Sequence, residues 1–165
     1  MMITLTGFMG SGKTTVGKVL ADFLGCPFLD LDDLIVKKAG KSIPDIFAQD
    51  GEPAFRELEA KLLRQTVGKY AESTAVLALG GGAILAPASA ALLRDKTVCI
   101  YLRATLDTLL ARLEGETAGR PLADDALASR LAARAPLYEE TAHVTIDTDG
   151  LSPDEVADES IISVL

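Results

Sequence analysis

Apolar positions along this chain follow two rhythms, short continuous runs and helical stripes, and they alternate. Ile3-Thr4-Leu5-Thr6 reads as a short strand. Val16, Val19, Leu20 and Phe23 then fall at i, i+3, i+4 and i+7, one face of a helix that closes near Leu24-Gly25 with the glycine as C-cap. Phe28-Leu29 is a second strand, ended by Asp30-Leu31-Asp32-Asp33, and a helix covers Leu34 to Ala39. Ser42 is a natural N-cap for a small helix with Pro44 in its first turn. A long helix follows from Pro53 to about Tyr70, with Phe55, Leu58, Leu62 and Leu63 on one side.

Ala75-Val76-Leu77-Ala78-Leu79 is apolar at every position, as a central parallel strand should be, and runs into Gly80-Gly81-Gly82. Pro87 to Leu93 is a short helix, Thr97 to Leu102 a strand, and Leu106, Leu109, Leu110 and Leu113 mark another helix face. From Glu114 to about Asp125 the pattern lapses among glycines, a proline and charges. A helix resumes at Leu127 and meets Pro136, which is expected to end or kink it. Val144 to Asp147 is a last strand, and Ser152 starts a C-terminal helix. Strands alternating with helices predict an α/β fold: a parallel sheet covered on both faces, with its ligand beyond the carboxyl ends of the strands.

At one of those ends stands Gly7-Phe8-Met9-Gly10-Ser11-Gly12-Lys13-Thr14, which fits G-x-x-x-x-G-K-[ST] at every fixed position. The glycines admit phosphate oxygens close to backbone N–H groups, and the next helix adds its N-terminal donors and dipole. Lys13 supplies a compact charge for the β- and γ-phosphates, and the Thr14 hydroxyl an oxygen ligand for Mg²⁺. Asp30 and Asp32 close strand 2 and the three glycines close strand 3, so all three features share one edge.

A length of 165 residues predicts one domain over 1–165. The formal charge of −8 argues against a nucleic-acid or anionic-membrane surface, while leaving room for a local basic pocket. Cys26 and Cys99 read as buried free thiols of a reducing compartment. With no cationic leader and no apolar run that could span a bilayer, the expectation is a cytoplasmic protein, taken as a monomer.

A phosphate loop states only that nucleotide is bound. Beyond it come Phe28-Leu29-Asp30-Leu31-Asp32, then Gly51-Glu52-Pro53-Ala54-Phe55-Arg56, then Leu79-Gly80-Gly81-Gly82. Gly119-Arg120-Pro121-Leu122 and Arg134-Ala135-Pro136-Leu137-Tyr138 complete the series. With Gly7 to Thr15 these motifs resemble, in order, those of the shikimate kinases, nearly end to end. The resemblance implies a three-layer P-loop kinase of the nucleoside-monophosphate-kinase type, with a five-stranded parallel sheet. It implies a short lid at about 114–127 and an acceptor-binding helical region at about 32–60. The implied reaction moves the ATP γ-phosphoryl group to the 3-hydroxyl of shikimate, with Mg²⁺ as cofactor.

Residue by residue, the resemblance places Gly10, Ser11, Gly12, Lys13, Thr14 and Thr15 on the nucleotide, and Thr14 and Asp30 on the metal. Asp32 matches the aspartate that holds the acceptor's ring hydroxyls; its residue type also suits an N-cap for the next helix. Arg56 and Arg134 match the pair that binds the acceptor carboxylate, for which a planar guanidinium is suited, and Gly81 a backbone donor to it. Arg120 matches the lid arginine that reaches the phosphates, with Lys13 and Asp32 the catalytic set. Arg112 stands either beside the adenine or as a helix-surface charge, and Phe47 and Phe55 either wall the acceptor pocket or belong to the core. The stretch from Arg120 to Arg134 is short for the family, and His143, the sole histidine, reads as structural. The rival readings are a kinase for another small hydroxy acid, gluconate-like, and a nucleotide-binding module without transfer activity.

Overall fold

The computed structural model describes residues 1–116 and 124–164. Five strands, β1 (Met2–Thr6), β2 (Phe28–Asp30), β3 (Ala75–Ala78), β4 (Thr97–Arg103) and β5 (Val144–Asp147), form one parallel sheet in the order β2-β3-β1-β4-β5. The helices are α1 (Lys13–Leu24), α2 (Leu31–Ala39), α3 (Ile43–Asp50), α4 (Glu52–Lys69), α5 (Pro87–Lys96), α6 (Leu106–Glu116), α7 (Asp124–Thr141) and α8 (Pro153–Val164), with a 3-10 turn at Ala83–Leu85.

Side-chain alternation divides the strands between two cores, which is why the central strands are apolar throughout. Ile3, Leu5, Val76, Ile100 and Leu102 face α1 and α8, meeting Val16, Leu20, Val156 and Ala157. Met2, Ala75, Leu77 and Tyr101 point the other way, toward Leu31, Ile35, Phe55, Leu63, Leu93 and Tyr138. The expected three-layer arrangement is present, and β1 lies between β3 and β4. The loop after β1 is therefore at the centre of the sheet's carboxyl edge, with the ends of β2 and β3 to one side.

Several boundaries depart from the sequence reading. Helix α2 begins at Leu31 rather than Leu34, because Asp30 caps it: its side chain accepts from the N–H groups of Asp32 and Asp33. Asp32 thus lies in the first turn and is not the cap. Phe23 is 66% exposed, against the expectation of a buried face. The buried residues of α1 are Val16, Gly17, Leu20 and Ala21, so the face is centred on small residues and Phe23 stands roughly a quarter turn away. Helix α7 runs through Pro136 rather than ending there. Tyr138, fully buried two residues later, stacks on Tyr101 with ring centroids 5.0 Å apart, and this tertiary anchor offsets the backbone hydrogen bond that proline deletes. Helix α6 extends to Glu116, beyond the point where the pattern lapses.

Other expectations hold. Ser42 caps α3 by accepting from the Asp45 N–H, and Ser152 caps α8 in a reciprocal box with Glu155. Cys26 and Cys99 are free thiols; Cys99 is buried, whereas Cys26 is only partly so. The His143 ring accepts from the Cys99 N–H through Nδ1, so its Nε2–H donates to the Arg94 carbonyl, and the residue ties β4 to α5. Among the described residues no helix is long and apolar enough to cross a membrane.

The close fit of α1 to the sheet depends on Gly17. A Cβ there would stand 2.4 Å from the Phe28 ring and 3.3 Å from Leu5. Gly17→Val is expected to lower stability by about 1–3 kcal/mol through overpacking. Urea denaturation of the two proteins checks this; equal midpoints would show that the α1–β2 contact yields freely.

Candidate active site

The loop between β1 and α1 is built by three glycines with positive φ: Gly7 at 151°, Gly10 at 80° and Gly12 at 93°. A Cβ on Gly7 would meet the Leu102 carbonyl at 2.7 Å, so the loop passes close beneath β4. The Ser11 N–H donates to the Phe8 carbonyl (3.2 Å) and its hydroxyl is buried, within 2.8 Å of where a Gly7 Cβ would lie. Ser11 therefore shapes the loop, while Gly12, Lys13, Thr14 and Thr15 open α1 toward a groove of about 590 Å³. The far wall of that groove is Arg112, Thr148 and Pro153. Arg112 is no free surface charge: Nη1 donates to the Gly10 carbonyl at 3.1 Å.

Lys13 Nζ donates to the carbonyls of Gly7 (2.7 Å) and Phe8 (3.0 Å). Loss of water around the ammonium pushes its pKa from 10.5 down to about 8, with Arg134 adding to the shift and the carboxylates of Asp32 and Asp30 opposing it. The Thr14 hydroxyl donates to Asp30 Oδ2 at 3.0 Å. The other Asp30 oxygen accepts from the Asp32 N–H at 2.9 Å, so one carboxylate joins the phosphate loop to the turn carrying Asp32. Two hard oxygens side by side suit Mg²⁺, which keeps several waters and takes its remaining ligands from phosphates. Among the described residues no three His, Cys, Asp or Glu side chains converge as a metal cage.

Beside Lys13 lies a second constellation. A Cβ on Gly80 would stand 2.9 Å from Asp32 Oδ1 and 3.3 Å from Glu59 Oε2; one on Gly81 would meet Arg134 Nη1 at 3.4 Å and the Gly7 carbonyl at 3.6 Å. On Gly82 a Cβ would collide with the Arg56 guanidinium at 2.5 Å. The glycines leave room for Asp32, Arg134 and Arg56 to come against the backbone in sequence. Burial, reinforced by Asp30, raises the pKa of the Asp32 carboxyl, which Lys13 partly counteracts. Arg56 bonds Glu59 at 2.9 Å and approaches Glu52 at 3.6 Å. Arg134, by contrast, makes no ion pair among the described residues.

The structure thus brings together Lys13, Thr14, Asp30, Asp32, Arg56, Gly81 and Arg134. Arg120, and with it half of the lid expected at about 114–127, lies outside the described residues. Phe55 is buried and stacks at 4.8 Å on Phe47, which is 37% exposed. The sequence reading missed Glu59, whose i+3 spacing from Arg56 was the available signal. It also missed Thr148 and Pro153, which carry no local signature and reach the groove through topology alone.

A five-stranded parallel sheet with this loop between β1 and α1 and helices on both faces defines the P-loop kinase fold. A profile described as "Shikimate kinase" matches residues 9–165. The chain is 46% identical to a shikimate kinase of Salinibacter ruber, over 90% of this chain and 78% of that one. It is 44% identical to a shikimate kinase of Enterococcus faecalis, over 95% and 94%. Its fold superimposes on the shikimate kinase of Acinetobacter baumannii, solved in complex with shikimate, with a TM-score of 0.89 and 35% identity, covering 99% of this chain and 92% of that one. The chain belongs to the shikimate kinase family.

The desolvated ammonium has a measurable consequence. Polyphosphate bound near Lys13 would stabilise its charged form, so nucleotide binding there is expected to raise a pKa that burial pushes down to about 8. Above pH 8 binding should therefore take up protons, and affinity should fall as pH rises further. Calorimetry at pH 8.5 in buffers of different ionisation enthalpy reads the uptake. It should disappear in Lys13→Met; uptake of equal size in that variant would assign the proton to another group.

Proposed function

We propose that this enzyme transfers the γ-phosphoryl group of ATP to the 3-hydroxyl of shikimate, giving shikimate 3-phosphate and ADP. The observation that carries the reading is the cluster at Gly80, Gly81 and Gly82, where Asp32, Arg134 and Arg56 come against the backbone beside the Gly7 carbonyl, with Lys13 within electrostatic reach of Asp32 and Arg134. Two guanidinium groups and the Gly81 backbone suit a carboxylate, and Asp32 suits ring hydroxyls. A hydroxylated carboxylic acid satisfies both. The relatives named above, one of them solved with shikimate, support that choice of acid.

In this reading the polyphosphate lies along the loop, held by Gly10, Ser11, Gly12, Thr14 and Thr15, with the adenine beside Arg112. Lys13 gives up its carbonyl contacts for the β- and γ-phosphate oxygens. Thr14 and Asp30 would hold Mg²⁺, which would supply neutralisation of charge on the transferred group. Asp32 accepts the hydrogen bond of the reacting hydroxyl and turns its oxygen toward the phosphorus. Its raised pKa makes it a better acceptor of that proton than an ordinary aspartate. Arg134 and Arg56 grip the acceptor carboxylate at the far end, which fixes the ring for in-line attack. Arg120 belongs to a short lid and adds a cation at the phosphates as water is excluded. The reading takes residues 1–165 as one kinase domain, acting as a cytoplasmic monomer.

A coupled assay of ADP release with ATP, Mg²⁺ and either shikimate or gluconate tests the function. Turnover with shikimate alone is expected; preference for gluconate, or no acceptor-dependent release, would contradict it. Lys13→Ala should reduce kcat by about a thousandfold. Arg134→Ala should raise KM for shikimate roughly a hundredfold, the cost of losing one member of a hydrogen-bonded charge pair, with KM for ATP within twofold. Equal rises in both would remove Arg134 from the acceptor site.

A further inference from the structure

Tyr138 belongs to a sequence motif whose arginine the proposed mechanism uses and whose tyrosine it does not. The side chain is fully buried, and it ends in a phenol, a group that is costly to bury without partners. Its hydroxyl donates to the Gly81 carbonyl at 2.6 Å, across 57 residues of sequence. Arg134 lies one helical turn earlier on α7, and its guanidinium charge acts on the same phenol. Both partners converge at one point: a Cβ on Gly81 would stand 3.4 Å from Arg134 Nη1 and 3.6 Å from the Tyr138 oxygen. The ring is clamped by its stack on Tyr101 of β4, so the hydroxyl has little freedom to turn away. Burial pushes the phenol pKa up to about 12, so the group keeps its proton and remains a donor throughout the working range.

We infer that Tyr138 is the positioning residue of the acceptor-carboxylate site, holding Arg134 and the Gly81 backbone in register through one hydroxyl. The inference rests on the proposed shikimate-binding role of those two residues and extends it. The phenol donates to the glycine carbonyl with the guanidinium close by, so it joins a helix to a strand-end loop at the point where both face the ligand. Arg56 has Glu59 to orient it. Arg134 makes no ion pair among the described residues, and Tyr138 takes that place.

Tyr138→Phe keeps the ring and its stack and deletes only the hydroxyl. KM for shikimate, and its dissociation constant by calorimetry, should rise about tenfold, as for the loss of one buried hydrogen bond and the group it orphans. KM for ATP and kcat should stay within about twofold. Tyr101→Phe, which removes the other phenol of the stack, should leave both KM values unchanged. In an Arg134→Ala background the Tyr138→Phe change should cost less than about threefold, because the charge it orients is gone.

Shikimate affinity within twofold of wild type in Tyr138→Phe would overturn the inference. So would parallel rises in both KM values, an equal acceptor defect in Tyr101→Phe, or a full tenfold loss in the Arg134→Ala background. Failure of the wild-type enzyme to bind or use shikimate would instead overturn the functional reading on which the inference stands.

Discussion

The site depends on a balance of charge at the carboxyl edge of the sheet. Lys13, Arg56 and Arg134 bring positive charge there, and Asp30, Asp32 and Glu59 bring negative charge. Three of these members are strained by burial. Burial lowers the pKa of Lys13 and raises those of Asp32 and Glu59, each shift disfavouring the charged form. Each is held charged by its neighbours. On the proposed reading, a polyphosphate entering this network meets at Lys13 an ammonium already desolvated, where electrostatic attraction is stronger than in water.

The two halves of the site are mechanically joined. Asp30 spends one oxygen on the Thr14 hydroxyl and the other on the N–H groups that start α2, so the metal-competent pair and Asp32 share a support. The glycines after β3 do the same on the other side: Gly80 admits Asp32 and Glu59, Gly81 admits Arg134, and Gly82 admits Arg56. Parallel topology explains why such joints are possible. It delivers the ends of β1, β2 and β3 to one edge, so residues far apart in sequence face a common space.

Much of this was legible in the sequence, for physical reasons. The phosphate loop has a spacing that backbone geometry imposes, and the central strands are apolar because both faces are covered. Ser42, Ser152 and Gly25 cap as their side chains or lack of one dictate. What was not legible required knowing which surfaces meet. Phe23 fits a helical stripe, yet the stripe is centred elsewhere because Gly17 and Ala21 lie against the sheet. Pro136 breaks helices in isolation, but Tyr138 anchors the turn beyond it. Glu59 resembles any surface glutamate until α4 is packed down and the residue is only 4% exposed beside Arg56. The choice of Asp30 over Asp32 as the α2 cap turned on where β2 ended, which propensity fixes only to within a residue or two.

The account stands or falls on one pocket holding both reactants. A crystal structure with ADP, Mg²⁺ and shikimate bound tests it most directly. It should show the acceptor carboxylate between Arg56 and Arg134, a ring hydroxyl within hydrogen-bond distance of Asp32, and that hydroxyl pointing along the loop toward the diphosphate. Shikimate seated away from the two arginines, or Asp32 turned from the ring, would contradict it.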